Sequence, residues 1–239
     1  MEQTEEIIRY IRRNRLSTTE VTDAMGKAGI LPGLAPATPD QFRVGPVRCV
    51  FTANNSNRDL HEQIKAVREG EVVVVFAEKC EERALLGDLM ARFVLLYRGA
   101  EALVVNGLVR DAARLRRERY AIWSKGMTPL GCFNTPAKPF APKEAARLRA
   151  ELDGGVAVCD DGGVTIIGPK LLNGELLEKL KRIELQEDVW YYCLNTLKWD
   201  TKKIVCDKAY LKEPEALPAA YHGQLAQLER PLDGTLKKS

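Results

Sequence analysis

The sequence predicts an α/β fold, because short β-branched runs alternate with segments of helical spacing along most of the chain. Two of the runs, residues 72–76 and 102–105, are continuous and apolar, which is typical of strands buried on both faces of a sheet. Each run follows a glycine that ends a helical segment, Gly70 in the first case and Gly99 in the second. The order of strands and helices places one core between about residues 15 and 170.

The composition indicates a folded protein without a strongly charged partner. The chain has 239 residues, of which 45% are hydrophobic and 29% charged, so it can bury a full core. A net charge of +3 does not indicate nucleic acid as an obligate partner. No apolar run approaches the roughly 20 residues that span a bilayer, and the early Glu2, Glu5 and Glu6 do not fit a signal peptide. We therefore expect a cytoplasmic protein that acts away from membranes.

The first third of the chain alternates helix and strand. Residues 5–14 have helical spacing, and Ser17-Thr18-Thr19-Glu20 has the pattern of a capping box that starts a second helix, running to about Gly29. Residues 47–52 predict a strand, and residues 61–69 predict a helix that stops at Gly70.

The middle of the chain repeats the alternation. Residues 85–98 have helical spacing up to Gly99, and the strand that follows at 102–105 is expected to break at Asn106-Gly107. A short strand is expected at 121–124, and residues 136–152 predict a linker followed by a short helix.

The last third begins with a predicted β-hairpin. Asp160-Asp161-Gly162-Gly163 separates the apolar runs 156–158 and 164–167, which is typical of two strands joined by a tight turn. From Pro169 to about Lys198 the spacing is helical. The stretch from about Glu213 is rich in Pro, Ala and Gln, and predicts a poorly packed tail or an arm that lies on a neighbouring subunit.

Common cofactor and hydrolase fingerprints are missing. The sequence has no GxGxxG after a strand, no GxxxxGK[ST], no HExxH and no GxSxG, so nucleotide cofactors and a serine mechanism lack support. Two histidines, His61 and His222, are too few for a zinc site of the usual spacing. The six cysteines contain no CxxC, which predicts reduced and mostly packed thiols.

The segment 85–90 is the first candidate part of an active site. It contains Leu86, Gly87, Asp88 and Leu89, at or near an expected helix start. Free backbone N–H groups attract anions at such a position, and Gly87 permits close approach. The simpler interpretation is that Asp88 only caps the helix.

The segment 104–111 is the second candidate part, because it follows a buried strand at the end where ligands collect in α/β sheets. Arg110 can bind a carboxylate through two hydrogen bonds, and Asp111 can hold a hard cation. A cation that binds the keto oxygen and carboxylate of a 2-oxo acid would stabilise the enolate made on C–C cleavage. The simpler interpretation is a local ion pair on a turn.

In combination, the two segments resemble the RraA-like family. This family includes aldolases of 4-hydroxy-4-methyl-2-oxoglutarate and 4-carboxy-4-hydroxy-2-oxoadipate, and the regulator of ribonuclease activity A. Its pattern is roughly G-[DE]-L-x-A, a helix, a glycine, an apolar strand and G-x-x-R-D. The matching residues are Gly87-Asp88-Leu89-Met90-Ala91, Gly99, Leu103-Val104-Val105 and Gly107-Leu108-Val109-Arg110-Asp111.

Flanking segments resemble the family in the same order, so that the likeness covers about residues 15–190. They are the helix from Ser17 to Gly29, Gly45-Pro46-Val47-Arg48, Gly70-Glu71-Val72-Val73-Val74, Lys125-Gly126-Met127-Thr128-Pro129, and residues 158–164 around Asp160-Asp161. One departure has a structural consequence. From Asp88 to Gly99 the chain is one residue longer than the family pattern, which predicts a bulge in the helix or a shift of its phase.

The resemblance implies a role for each candidate residue. Arg110 would bind the substrate carboxylate and help to stabilise the enolate. Asp111 would bind Mg²⁺ or Mn²⁺, with waters in most of the other positions. The backbone amides of Leu86, Gly87, Asp88 and Leu89 would hold the pyruvyl carboxylate or oxygen. The side chain of Asp88 would orient a water or assist proton transfer.

The resemblance also implies a fold and an assembly. The family fold is a compact swivelling-type β/β/α domain, which here would occupy residues 1–190 with its N-terminal helices, and residues 191–239 would be a C-terminal helical extension. The family forms trimers or hexamers with the active site at subunit interfaces. A glutamate of a neighbouring subunit would reach the metal-bound waters, and Glu184 and Glu187 are the candidates for it.

Three functions remain open from the sequence. The first is a divalent-metal-dependent aldolase or decarboxylase that cleaves a C–C bond of a small 2-oxo acid, such as oxaloacetate, and releases pyruvate. The second is a regulatory protein that binds a ribonuclease, and the third is an inactive relative that still binds a carboxylate. Two basic runs could serve the second function; they are Arg9, Arg12, Arg13 and Arg15, and Arg114, Arg116, Arg117 and Arg119.

Overall fold

The structure, a computed structural model, describes residues 2–229. Within that range the backbone forms two compact units, one of residues 2–19 and 29–173 and one of residues 20–28 and 174–229. The first unit contains the strands and every candidate residue of the segments 85–90 and 104–111. The predicted α/β class is therefore confirmed, with helices at both ends of the chain.

Within residues 2–229, eight strands form one sheet in the order β1-β6-β5-β3-β2-β7-β8, and β4 pairs with β5 beside this path. The strands β2, β3, β5 and β6 are parallel neighbours, and β4 is parallel to β5. The carboxyl ends of these strands therefore lie at the same edge. The strands are β1 (Ala35–Pro36), β2 (Arg43–Ala53), β3 (Val72–Glu78), β4 (Ala84–Leu86), β5 (Ala102–Val109), β6 (Ile122–Met127), β7 (Val156–Asp160) and β8 (Gly163–Ile167).

The α-helices lie between and after the strands. Those before β8 are α1 (Glu2–Asn14), α2 (Thr18–Ala24), α3 (Arg58–Gln63), α4 (Asp88–Arg92), α5 (Ala112–Arg117) and α6 (Pro142–Leu152). Those after it are α7 (Gly174–Asn195), α8 (Ala209–Lys212), α9 (Ala219–His222) and α10 (Leu225–Glu229). In the described residues, no helix combines the length and the apolar character that crossing a membrane requires.

The central strands are apolar on both faces because both faces are covered. Val73 and Val75 of β3 belong to one core cluster, while Val72, Val74 and Phe76 belong to another. Successive side chains of a strand point to opposite faces, so the two clusters pack on opposite sides of the sheet. β5 divides its side chains between the same two clusters. This double burial explains why the two runs are continuous rather than alternating.

Two predicted boundaries around β5 are wrong. Residues 84–86 form β4 instead of the first turn of a helix, and the helix begins at Asp88. β5 does not break at Asn106-Gly107 but continues to Val109, because β4 pairs along its last part. At Asn106-Gly107, where a break was predicted, the pairing of β5 with β6 instead shifts its register between Val105 and Leu108. The pairing of β4 with β5 decides both corrections.

The predicted bulge in the helix before Gly99 is present. α4 continues into a π-helix over Phe93–Tyr97, in which the N–H of Arg98 donates to the carbonyl of Phe93 at 3.0 Å. A π-turn accommodates one residue more than an α-turn. The additional residue between Asp88 and Gly99 is therefore accommodated within this π-helix.

The second unit corrects the prediction of a poorly packed tail. Described residues from Tyr210 to Leu228 pack with α7 in an apolar cluster whose fully buried members include Tyr210, Val189 and Cys193. The weak periodicity from Glu213 onward reflects a 3-10 turn of three residues and two α-helices of four and five residues, each too short to show a repeat. Residues 230–239 lie outside the described residues. The domain boundary predicted at residue 190 falls inside α7, and an intersubunit role for the extension stays a prediction.

The start of α2 depends on the turn between β7 and β8. The carboxylate of Asp160 accepts hydrogen bonds from the N–H and the hydroxyl of Thr18, at 2.7 and 2.6 Å, and from the N–H of Gly162 at 2.8 Å. α2 ends at Ala24 rather than near Gly29, because Gly26, Lys27 and Gly29 have positive φ. The predicted start of α2 is therefore correct, and the carboxylate of Asp160, which is distant in sequence, caps it.

We expect Asp160→Ala to lower the free energy of unfolding by about 2 kcal/mol, because it removes three acceptor contacts at a helix start and a turn. Denaturant unfolding followed by circular dichroism measures this loss. Asp161→Ala is the matched control. Among the described residues Asp161 accepts only from the exposed N–H of Asp40, so its loss should cost less than about 1 kcal/mol. Equal losses in the two variants would contradict the capping role of Asp160.

Candidate active site

The pairing of β4 with β5 brings the two candidate segments together. Leu86 lies opposite Val109 in the parallel ladder, and the N–H of Arg110 donates to the carbonyl of Leu86 at 3.0 Å. Arg110 and Asp111 follow the last residue of β5, and Asp88 begins α4 after Gly87. The candidate residues therefore surround one point at the carboxyl edge of the parallel strands.

Asp111 is held in an unusual backbone conformation. Its φ of 62° and ψ of 36° are left-handed, which costs a residue with a side chain about 1–2 kcal/mol. Its carbonyl accepts the N–H groups of Arg114 and Leu115, at 2.9 and 3.1 Å, so the residue starts α5. Its carboxylate Oδ2 accepts the N–H of Asp88 at 2.8 Å. These bonds fix the direction of the carboxylate.

Gly87 lies directly against this carboxylate. A Cβ at position 87 would lie 2.2 Å from Oδ2 of Asp111 and 2.8 Å from Cγ of Arg110. The backbone of Gly87 is extended, with φ of −141°, so the glycine is required by the space and not by its conformation. The predicted close approach at Gly87 is therefore made by the chain's own Arg110 and Asp111.

The guanidinium of Arg110 is open to a ligand. Its side chain is about half exposed, and Nε lies 3.9 Å from Oδ2 of Asp111. Its Nη1 lies against Gly131, where a Cβ would approach to 2.5 Å. Among the described residues, its terminal nitrogens form no hydrogen bond. Arg110 can therefore offer two parallel N–H donors to a carboxylate.

The carboxylate of Asp88 does not line the cavity. The residue is only 8% exposed, and its Oδ2 lies 3.4 Å from Nη1 of Arg114. Its Oδ1 is buried and has no hydrogen-bond partner among the described residues. The sequence indicates Arg114 only as a member of a basic run. Its place one turn after Asp111 is the signal that could have marked it as a neighbour of the site.

A cavity opens over the other candidate residues. Leu86, Gly87, Leu89, Arg110 and Asp111 all line it, and His61 lies in its wall. Further lining residues that the sequence did not indicate are Asn57, Cys132 and Asn134.

Asn57 and Cys132 are placed at the cavity by backbone hydrogen bonds between segments that are distant in sequence. The N–H of Asn57 donates to the carbonyl of Phe133 at 3.0 Å, and the N–H of Cys132 donates to the carbonyl of Ala84 at 3.1 Å. The side chain of Asn57 also donates to the carbonyl of Leu85 at 3.0 Å. No local pattern marks such residues, because their position is set by partners 25 or more residues away.

The donor set fits a cation that keeps most of its water. In residues 2–229, no cluster of three or more His, Cys, Asp or Glu side chains could hold a metal. Asp111 offers one carboxylate oxygen, Oδ1, that forms no hydrogen bond with a described residue. Mg²⁺ binds through one or two carboxylates together with waters and substrate oxygens. A single carboxylate beside an open cavity is compatible with Mg²⁺ or Mn²⁺, but not with a closed structural zinc site.

The candidate glutamates for a neighbouring subunit lie in the second unit, on α7. Burial raises the pKa of Glu187, and the negative charges of Glu20, Asp23 and Asp188 raise it further. Whether Glu184 or Glu187 reaches the site of another copy stays a prediction.

The chain belongs to the RraA-like family. The family model described as aldolase/RraA matches residues 18–166, which contain all of the sheet except Ile167, the last residue of β8, and all residues of the two candidate segments. This confirms the resemblance inferred from the two segments and their flanks.

Relatives and solved structures agree with this assignment. A protein of Halalkalibacterium halodurans provisionally named a 4-hydroxy-4-methyl-2-oxoglutarate aldolase is 26% identical over 188 residues, which cover 72% of this chain and 82% of that protein. The fold is similar to RraAS2 of Streptomyces coelicolor, described as an unusual member of the RNase ES inhibitor RraA family, with a TM-score of 0.61 and 21% identity over 77% of this chain and 95% of that one. An uncharacterized protein of Pseudomonas syringae pv. tomato is similar at a TM-score of 0.63 and 21% identity, over 80% of this chain and 89% of that one.

We expect Gly87→Ala to disrupt the site while leaving the fold intact. The new methyl group must displace the ends of the Asp111 and Arg110 side chains, which can move without opening the core. Isothermal titration with Mn²⁺ and oxalate should therefore show binding reduced by about tenfold or more, at a melting temperature close to that of the wild type. Gly223→Ala is the control, because a Cβ there meets no atom within 4 Å. Undiminished binding in Gly87→Ala would contradict the packing of Gly87 against the carboxylate.

Proposed function

We propose that the protein is a divalent-metal-dependent lyase that cleaves a C–C bond of a small 2-oxo acid and releases pyruvate. The substrate would be similar to 4-hydroxy-4-methyl-2-oxoglutarate, or oxaloacetate in a decarboxylation. The observation that carries the proposal is the adjacent pair Arg110 and Asp111 at the wall of one cavity, each with an unused polar group directed to a ligand. The name of the Halalkalibacterium halodurans relative supports the same class of reaction.

In this proposal Arg110 and Asp111 bind ligands of opposite charge. Arg110 binds the carboxylate of the substrate through its terminal nitrogens, and Asp111 holds Mg²⁺ or Mn²⁺ through its carboxylate. The bound cation supplies positive charge where negative charge develops on the keto oxygen during C–C cleavage. The amides of Gly87 and Leu89 remain as further donors, since the amide of Asp88 is already used by Asp111.

Asp88 acts from behind this arrangement. Its amide orients the Asp111 carboxylate, and its own carboxylate lies against Arg114. The unpartnered Oδ1 is buried and does not line the cavity. We therefore propose Asp88 as a positioning residue, and not as the group that transfers a proton to the product enolate.

Oxaloacetate decarboxylation followed by pyruvate release tests the proposal. We expect turnover that requires added Mg²⁺ and stops with a chelator. Asp111→Asn keeps an acceptor for the Asp88 amide and a residue type that tolerates the left-handed conformation, yet should lower kcat/KM about a hundredfold because the negative charge is lost. Arg110→Lys should raise KM about tenfold or more with a smaller change of kcat, since it loses the two-point contact with the carboxylate.

Two controls make this assay decisive. Mg²⁺ without protein gives the background rate, which is subtracted. Arg117→Lys should change nothing, because Arg117 is exposed and, within residues 2–229, pairs only with Glu118. Turnover that persists after chelation, or that is unchanged in Asp111→Asn, would overturn the proposed mechanism.

We also propose that the site lies at the contact between copies of the chain. Leu89, Leu96 and Tyr97 on the helical segment 88–97 are 79%, 59% and 77% exposed, and Leu89 also lines the cavity. Leu130 and Phe133 are exposed apolar residues as well, and both lie on the loop that contains Cys132. Exposed apolar groups around a polar cavity are typical of a protein interface. A trimer or hexamer would cover them.

Leu96→Glu should weaken this assembly, because a charge would be buried at an apolar contact. Light scattering after size-exclusion chromatography should show the wild type as an oligomer and the variant shifted towards the monomer mass. Ile30→Glu is the matched control, since Ile30 is an exposed apolar residue away from this segment. A monomeric wild type would contradict the proposed interface.

A regulatory role is the second candidate, because the RraAS2 structure is described as belonging to a family of RNase ES inhibitors. Part of each basic run is already engaged within the chain. Arg12 donates to the carbonyl of Val44, and Arg114 pairs with Asp88. Binding of a ribonuclease at unchanged affinity in Asp111→Asn, without any turnover in the wild type, would favour this alternative.

A further inference from the structure

Two cysteines meet at the wall of the cavity. The side chains of Cys132 and Cys80 interact with each other, and the thiol of Cys80 lies 3.4 Å from the carbonyl of Glu78. Cys132 is half-buried and lines the cavity, whereas Cys80 is buried behind it. The proposed lyase reaction uses neither sulfur.

The backbone fixes this contact from both sides. The N–H of Asn55 approaches the sulfur of Cys80 at 3.2 Å, and the carbonyl of Asn55 accepts the N–H of Phe133 at 2.8 Å. The N–H of Cys132 donates to the carbonyl of Ala84 at 3.1 Å. One residue, Asn55, therefore contacts both cysteine segments and holds them next to each other.

The environment separates this pair from the other cysteines. The hydrogen bond from Cys132 lowers the pKa of Cys80 to about 7, and the same contact raises the pKa of Cys132. Burial raises the pKa of Cys49 to about 12 and also raises that of Cys159. Thiolate is the reactive form of cysteine, so the pair can react near neutral pH while Cys49 and Cys159 stay protonated.

We propose that Cys80 and Cys132 are a redox modification site, which closes to an intramolecular disulfide at the cavity wall when a small disulfide such as glutathione disulfide is present. Cys132, which lines the cavity, gives its proton to the thiolate of Cys80 and attacks one sulfur of the oxidant, which releases one glutathione thiolate. That released thiolate takes the proton from Cys80. Cys80 then attacks the sulfur of Cys132, forms the protein disulfide and releases the second thiolate. The two protons that the cysteines lose end on the two glutathione thiolates, so one S–S bond is broken and one is formed.

The modified cysteine lies next to a residue that contacts the guanidinium of Arg110. Cys132 follows Gly131, which lies against the guanidinium of Arg110. Arg83 also donates to the carbonyl of Gly131 at 2.8 Å. A disulfide would therefore tie the loop beside Arg110 to the segment after β3.

Peptide mapping tests the proposal on the full chain and does not depend on catalysis. The wild type is equilibrated with glutathione disulfide, alkylated and digested with trypsin without reduction. We expect the peptide of residues 80–83, which holds Cys80, to be linked to the peptide of residues 126–143, which holds Cys132. The intact protein should have lost the mass of two hydrogens, and dithiothreitol should restore it.

Two variants sharpen the result. Cys206→Ser removes the exposed cysteine and should give the same linked peptides in full yield. Cys80→Ser should instead leave a stable mixed disulfide of glutathione on Cys132, because no second thiol is near to release it. A wild type in which Cys132 stays reduced or keeps glutathione, or in which either cysteine links to a different partner, would overturn the proposal.

Discussion

The hydrogen bond from the Asp88 amide to the Asp111 carboxylate is the interaction on which the site depends. It holds the end of β5 against the start of α4, and it is possible only because Gly87 has no side chain to separate them. The same bond orients a carboxylate whose backbone is strained. Strain of this kind persists where the surrounding structure fixes it, and active sites are where it is commonly found.

The parallel pairing of β4 with β5 supplies the frame for this bond. It extends β5 past Asn106-Gly107, delivers Arg110 and Asp111 to the carboxyl edge of the sheet, and converts residues 84–86 from helix to strand. The π-helix over Phe93–Tyr97 then accommodates the additional residue of the helix that follows β4. The sheet therefore positions the candidate residues, and the π-helix after α4 accommodates the additional residue.

The loop 130–134 gives the cavity its third side and joins the two proposals. It places Gly131 against Arg110 and brings Cys132 to Cys80, while its exposed Leu130 and Phe133 face outwards. In the proposed enzyme, the same loop would therefore bound the carboxylate site, carry a redox-active thiol and contribute to a contact between copies. These roles are compatible because each uses a different side of a backbone that is anchored by bonds to Asn55 and Ala84.

Local patterns in the sequence predicted the α/β class and the two doubly buried strands, because periodicity is a local property of the chain. Ordered motifs likewise indicated Gly87, Asp88, Arg110 and Asp111 as candidate residues. For the additional residue before Gly99 the sequence left a bulge and a phase shift open, and the folded chain has the bulge. Long-range contacts turn Asp88 away from the cavity towards Arg114, bring Asn57 and Cys132 to it, and pack the stretch up to Leu228 against α7. These outcomes rest on contacts between residues far apart in sequence, whose energies no local pattern contains.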